Sequence, residues 1–231
     1  MKKKKGSYSV YLSGELFSLR DLIGHAWLAE AIYEKSHGRF RCLLPQDFTE
    51  LKGRSGRSSR DHSLRALVVA DLALFCFDGP DLASGTVVEF MYSKCADIPA
   101  VLLRTDNRHG SDQRHERWSQ MANHFPRTAA VIAPAVTEYR GKLERRRRID
   151  PAVHLAGQHS SASVQRVCDG IAAQCVRALE RVLAVPPIMP KHLREEVYQW
   201  LARFPGIRGN QKALRKEFET HLEQKVERDL L

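Results

Sequence analysis

Apolar positions recur along roughly the first 135 residues with two alternating periods. Ser9-Val-Tyr-Leu-Ser is a short β-prone segment, broken by Ser13-Gly14. From Asp21 to Lys35, the positions Leu22, Ala26, Ala29, Ile32 and Tyr33 fall at helical spacing and predict an amphipathic helix. Arg41-Cys-Leu-Leu is a second strand, ended by Pro45. The polar, Gly- and Arg-rich stretch from Lys52 to Arg60 reads as a mobile loop. Asp61 to Ala70 then reads as a helix capped by Asp61 or Ser59. Asp71-Leu-Ala-Leu-Phe-Cys-Phe is apolar after its first residue, as a strand covered on both faces of a parallel sheet must be. Ser84-Gly-Thr opens a helix from about Val87 to Ala96, Pro99–Arg104 is a fourth strand, and Thr128–Ala133 a fifth. Strands alternating with helices of this length predict a doubly wound parallel α/β sheet of about five strands.

The pattern changes beyond Tyr139. Lys142–Asp150 is charged and expected to be exposed, and Ser161–Val185 is a long amphipathic helix able to cover one sheet face. Pro186, Pro187 and Pro190 mark a linker. Two charged helices follow, Lys191–Arg203 and Asn210–Asp229, parted by Phe204-Pro-Gly. The expected organisation is a flavodoxin- or Rossmann-like domain over 8–185 and a helical extension over 191–231. The extension carries few large apolar residues, Trp200 and Phe218 among them, so it is expected to dock on the main domain or on a second subunit. The three tryptophans (Trp27, Trp118, Trp200) read as packing residues.

Composition narrows the class. A chain of 231 residues with 43% hydrophobic and 28% charged positions fits a soluble globular protein, and no apolar run approaches the roughly 18–20 residues of a membrane span. The basic start, Met1-Lys-Lys-Lys-Lys-Gly, has no apolar stretch behind it, so a secretory signal is not expected. Five cysteines without a CxxC pair read as free thiols of a reducing cytoplasm. The net charge of +10 is concentrated: Lys2–Lys5 and Arg145–Arg148 supply eight charges, leaving 10 − 8 = +2 for everything else. Two short runs are not a broad basic face, and specific nucleic-acid binding is not expected.

The chemistry-bearing residues cluster where the predicted strands end, which is where open parallel sheets bind ligands. These ends are Ser13-Gly14-Glu15, then Gln46-Asp47, then the run from Asp78 through Asp81 to Ser84-Gly85-Thr86, and finally Arg104-Thr-Asp106. Glu89 stands between Val88 and Phe90, about one helical turn past Gly85, where a helix N-terminus favours an anion. Tyr11, in the first strand, is within reach of donating its hydroxyl to that carboxylate. A positioned carboxylate of this kind suits nucleophilic attack at a sugar carbon. Plainer readings stand beside these: Asp78 and Asp81 as turn residues, Asp61 as a helix cap, Glu15 as an exposed loop residue. The ten histidines are scattered, none in an HxH or HExxH arrangement, and no metal or other cofactor is expected.

Four blocks carry a family resemblance: "YLSGELF" (Tyr11–Phe17), "LPQD" (Leu44–Asp47), "ADLALFCFDGPDLASGTVVEF" (Ala70–Phe90) and "IPAVLLRTD" (Ile98–Asp106). Together they resemble the nucleoside 2-deoxyribosyltransferase family over roughly residues 8–135, and the third block is the specific one. The resemblance implies that Glu89 attacks the anomeric carbon of a 2′-deoxynucleoside and that Tyr11 orients it. A second base or water then resolves the deoxyribosyl ester. It implies substrate contacts from Gly14, Glu15, Gln46, Asp47, Asp61, Asp78, Asp81, Ser84, Gly85 and Thr86, no metal, and a homodimer or larger assembly. The chain departs from the family pattern at Ala83, where an aspartate usually meets the sugar 5′-hydroxyl, at Ser63, where Asp or Asn is usual, and at Glu15, where proline is usual. Loss of the carboxylate at Ala83 removes a repulsion against phosphate, so a nucleoside 5′-monophosphate N-glycosidase is the second reading. A non-catalytic nucleotide-binding module that kept the fold is the third.

Overall fold

The computed structural model describes residues 6–48, 56–79, 81–107, 118–141 and 161–231. Its centre is a sheet of five strands: β1 (Tyr8–Ser13), β2 (Phe40–Leu43), β3 (Leu72–Cys76), β4 (Ala100–Arg104) and β5 (Thr128–Ile132). All neighbours pair in parallel, in the order β2-β1-β3-β4-β5. The chain therefore builds outward from β1 in one direction and then, from β3, in the other. The point of reversal lies between β1 and β3, where doubly wound sheets leave a crevice at the strands' carboxyl ends.

Helices cover both faces: α1 (Leu19–Lys35), α2 (Pro45–Phe48), α3 (Gly56–Val69), α4 (Ser84–Cys95), α5 (Ser161–Leu183), α6 (Arg194–Arg203) and α7 (Gln211–Glu227). Side chains alternate across a strand, and β1 divides accordingly. Val10 and Leu12 enter a core with Leu28 and Ile32 of α1 and Ile171, Cys175 and Leu179 of α5. Tyr11 enters the other, with Leu64 and Leu67 of α3 and Phe90 of α4. Both faces of β3 are buried in this way, Ala73 and Phe75 to one side and Leu72 and Leu74 to the other, which is why its sequence is apolar throughout.

Three helix starts differ from the expectation. α1 begins before Asp21: Ser18 caps it and Asp21 bonds back to Ser18, a reciprocal capping box whose start the apolar spacing alone does not mark. α3 already runs from Gly56, so 56–60 is helical rather than loop, and Lys52–Ser55 lies outside the described residues. Asp61 is thus inside the helix and does not cap it. α4 starts at Ser84, with Ala83 as an N-cap residue that has no side-chain hydrogen bond to offer. The charged stretch Lys142–Asp150 lies outside the described residues.

The C-terminal helices pack on the α3–α4 face. Tyr198, Leu201, Phe218, Leu222 and Leu231 share one cluster with Phe75, Phe90 and Tyr92. Polar ties fix the seam: Asp97 accepts from the amides of Ile188 and Met189 (2.8 and 2.9 Å) and pairs with Arg127 (3.1 Å), whose other amino group reaches the Leu230 carbonyl. Lys225 is buried and donates to the Val68 carbonyl at 2.6 Å. Trp118 is buried as expected, whereas Trp200 is 62% exposed and stacks on the equally exposed Phe204. No helix among the described residues is long and apolar enough to cross a membrane.

Candidate functional site

The site forms where β1 and α4 face each other at the switch point. Tyr11 and Ser13 are two residues apart on β1 and so project from the same face, toward α4. Glu89 lies in the second turn of α4, between the buried Phe90 and the exposed Val88. The Tyr11 hydroxyl donates to Oε1 of Glu89 at 2.9 Å, and the Ser13 hydroxyl donates to Oε2. Both carboxylate oxygens are thus gripped by hydroxyls and the side chain is confined to one orientation. An ionised carboxyl has about four lone-pair sites, so each oxygen keeps one for a substrate.

Burial dominates the electrostatics. Loss of water raises the pKa of Glu89, and the Ser13 and Tyr11 hydrogen bonds pull it back only in part. Expectation and structure differ here: the ionised form is held by Tyr11 and Ser13, not by the Ser84-Gly85-Thr86 turn, and the net direction is upward. Tyr11 is itself pushed well above its ordinary range, by burial first and by the Glu89 charge second, so it stays a proton donor.

The loop between β3 and α4 is locked to the end of β4. Asp78 Oδ1 accepts from the amides of Thr105 (2.6 Å) and Asp106 (2.9 Å), and its Oδ2 accepts from the Thr105 hydroxyl (2.6 Å). Asp106 accepts from the Gly79 amide at 3.0 Å, and the fully buried Arg104 donates to the Phe77 and Gly79 carbonyls. Gly79 has φ +94°, and a Cβ there would stand 3.0 Å from the Asp81 carbonyl, so the turn requires glycine. Glu15 reaches toward the same turn: its Oε1 lies 3.9 Å from that hypothetical Cβ.

The other expected site residues divide. Thr86 is buried in the first turn of α4, while Ser84 and Gly85 are exposed, and nothing lies within 4 Å of a Cβ built on Gly85. Asp81 and Asp47 are exposed. Gly14 abuts His25, whose Nε2 would be 2.6 Å from an added Cβ. Gln46 donates to the Leu22 carbonyl at 3.2 Å. The Asp61 carboxylate accepts from Arg60 (2.8 Å) and from the Arg208 amide (3.0 Å), which ties α3 to the C-terminal helices. Ser13, which the sequence marks only as part of a polar strand end, is a site residue. Its signal was present, since any residue two positions from Tyr11 shares its face. No group of three His, Cys, Asp or Glu among the described residues is placed to hold a metal.

The described residues define a doubly wound α/β protein with a hydroxyl-clamped glutamate at the switch point of its sheet. No family model and no curated protein matches the chain. Among solved structures, a conserved protein from Enterococcus faecalis V583 is similar at 20% identity and a TM-score of 0.48, over 55% of this chain and 92% of that one.

Proposed function

We propose that the chain is a nucleoside 2-deoxyribosyltransferase-like enzyme that cleaves the N-glycosidic bond of 2′-deoxynucleosides. Glu89 attacks the anomeric carbon, and the bond to the base breaks with its electron pair leaving on the base. The deoxyribosyl ester is then attacked by a second base or by water, and the carboxylate is regenerated. Two displacements at one carbon give net retention. The observation that carries this reading is the pair of hydroxyls, Tyr11 and Ser13, that hold both oxygens of one carboxylate beside the switch point of the sheet. A fixed carboxylate is most of what this reaction asks of a protein, because a 2-deoxy sugar reaches an oxocarbenium-like state readily. A ribose 2′-hydroxyl disfavours that state, so ribonucleosides are expected to react poorly.

A second reading, hydrolysis of the 5′-monophosphates, is favoured by the N-terminus of α4. Ala83 supplies no side-chain cap, and Ser84 and Gly85 are exposed with open space at Gly85. Free amides at a helix N-terminus attract phosphate. The proposal also includes assembly into a dimer or larger, supported by the exposed Val88 and Met91 on α4 beside the site and by Phe17 in the β1–α1 loop. Sedimentation showing only a 26.3 kDa species at micromolar concentration would remove that part. The activity is tested by incubating the protein with deoxyadenosine, deoxycytidine and their 5′-monophosphates, with and without an acceptor base, and separating the products. Free base released from one pair of substrates and not the other decides between the readings. Absence of release from all four overturns both.

A further inference from the structure

The outer side of α6 carries an apolar pair that the described residues leave largely in water. Trp200 and Phe204 are each 62% exposed, and their rings stack with centroids 5.9 Å apart and planes 27° from parallel. They stand one helical turn apart and so share a face. The opposite face, Tyr198, Leu201 and Ala202, is the one that anchors α6 to the core, and it does so without them. A single exposed apolar residue is ordinary. Two adjoining aromatic rings on an exposed helix face form a patch, and rings of this kind are the usual anchors where one protein docks on another.

The charges beside the pair say what kind of partner fits. Glu196 lies four residues before Trp200 and Arg203 three after it, so both fall on the Trp200 stripe. Both are exposed, and neither side chain has a hydrogen bond or ion pair among the described residues. This stripe, acid before the tryptophan and base after it, is complementary to its own reverse. Let two copies of α6 cross antiparallel about a two-fold axis at Trp200. A residue three or four places after Trp200 on one helix then faces a residue as far before it on the other. Arg203 of each copy meets Glu196 of the other, and symmetry makes the contact twice. The acidic first turn of α6, with Glu195 and Glu196, opposes the basic last turn of its partner in the same sense. That acidic turn would repel a nucleic-acid strand or an anionic membrane, so a second copy of the chain is the partner the surface fits.

We propose that the Trp200–Phe204 face of α6 is a self-association surface, on which a second copy of this chain docks antiparallel about a two-fold axis. The inference stands on α6 alone. It depends neither on the N-glycosidic reading nor on the α4 surface offered above for assembly.

The test is sedimentation equilibrium of the full chain carrying Val88→Glu, which spoils the α4 surface and leaves α6 intact. Trp200→Ala, Glu196→Arg, Arg203→Glu and the double exchange Glu196→Arg with Arg203→Glu are each added to it. All of these positions are exposed, so the fold is expected to survive, and a matching circular dichroism spectrum checks it. The Val88→Glu chain is expected to sediment above its 26.3 kDa monomer mass at micromolar concentration. Trp200→Ala should weaken the dimer about tenfold or more. Either single charge reversal should weaken it about tenfold, because each sets two like-charged pairs against each other across the axis. The double exchange should return the dissociation constant to that of the parent, which no loss of folding can imitate. A parent that stays monomeric overturns the inference, as does association that Trp200→Ala leaves unchanged. A double exchange no tighter than the single reversals also overturns it, since the two charges then do not meet. Association present in the wild type and lost in Val88→Glu belongs to α4 instead.

Discussion

Replacing Ser13 by alanine removes the donor to Oε2 of Glu89 and leaves Tyr11 on Oε1. Burial raises the Glu89 pKa, and of the two bonds that lower it Ser13 is the stronger. A hydrogen bond to a charged group contributes about 1.5–3 kcal/mol. At about 1.4 kcal/mol per factor of ten, the ionised carboxylate should become roughly ten- to hundredfold less populated on the acid side of its titration. The sign follows from which form the bond favours: Ser13 stabilises the anion, so its loss moves ionisation to higher pH. The assay is the pH dependence of kcat/KM on a confirmed 2′-deoxynucleoside. The acid limb of Ser13→Ala should lie at higher pH than that of the wild type, and the two curves should converge toward an alkaline plateau. An unmoved acid limb with a uniformly lower plateau would refute the argument, because Ser13 would then be acting on something other than the charge of Glu89.

Three further outcomes need no substrate. Glu89 has a folded-state pKa raised above its unfolded value, so its contribution to stability is fullest at acid pH and is lost as pH rises through the folded value. The stability of Glu89→Gln in urea should therefore rise relative to the wild type as pH increases, and any gain should shrink at acid pH; a difference independent of pH would count against it. Burial pulls the Lys225 ammonium down to about 7. The unfolded chain holds a proton that the folded chain releases, so the wild type should gain about 2 kcal/mol between pH 7 and 9 relative to Lys225→Met, and parallel pH profiles would disprove it. Asp97→Ala leaves Arg127 buried without its carboxylate and frees the amides of Ile188 and Met189. Breaking such a pair costs about 3–5 kcal/mol, so limited proteolysis should cut near residues 186–190 in the variant; resistance equal to the wild type would contradict the proposed seam.

Much of the fold was legible because its determinants are local. Leu72–Phe75 is apolar at every position since both sides of β3 are covered, and that pattern reads directly as an interior parallel strand. Helix starts were harder. Gly56-Arg-Ser-Ser-Arg has loop composition and is helical in the structure, an ordinary case of tertiary context overriding propensity. The candidate site was legible in its main pair: a tyrosine on an inward face of β1 and a carboxylate in an apolar helix segment, 78 residues apart. Ser13 shares the inward face of Tyr11 by the strand period, but its place at the strand end does not by itself show that it meets Glu89. The roles of Asp61 and Asp78 were not legible, because their partners, Arg208 at a separation of 147 and Thr105 at 27, meet them only in the folded chain. The exposure of Trp200 was also out of reach of composition, since α6 turns that side away from the core its neighbour Leu201 enters.

The central claim is that Glu89 forms a covalent bond to the sugar. The direct measurement is mass spectrometry of the wild-type protein quenched in acid during turnover of a 2′-deoxynucleoside, followed by peptide mapping. The expected result is one deoxyribosyl group on the peptide containing Glu89, absent when Glu89→Gln is treated in the same way, with turnover by that variant lower by about 10³-fold or more. Turnover by the wild type with no sugar on that peptide, or Glu89→Gln turning over at a rate comparable to the wild type, would contradict it.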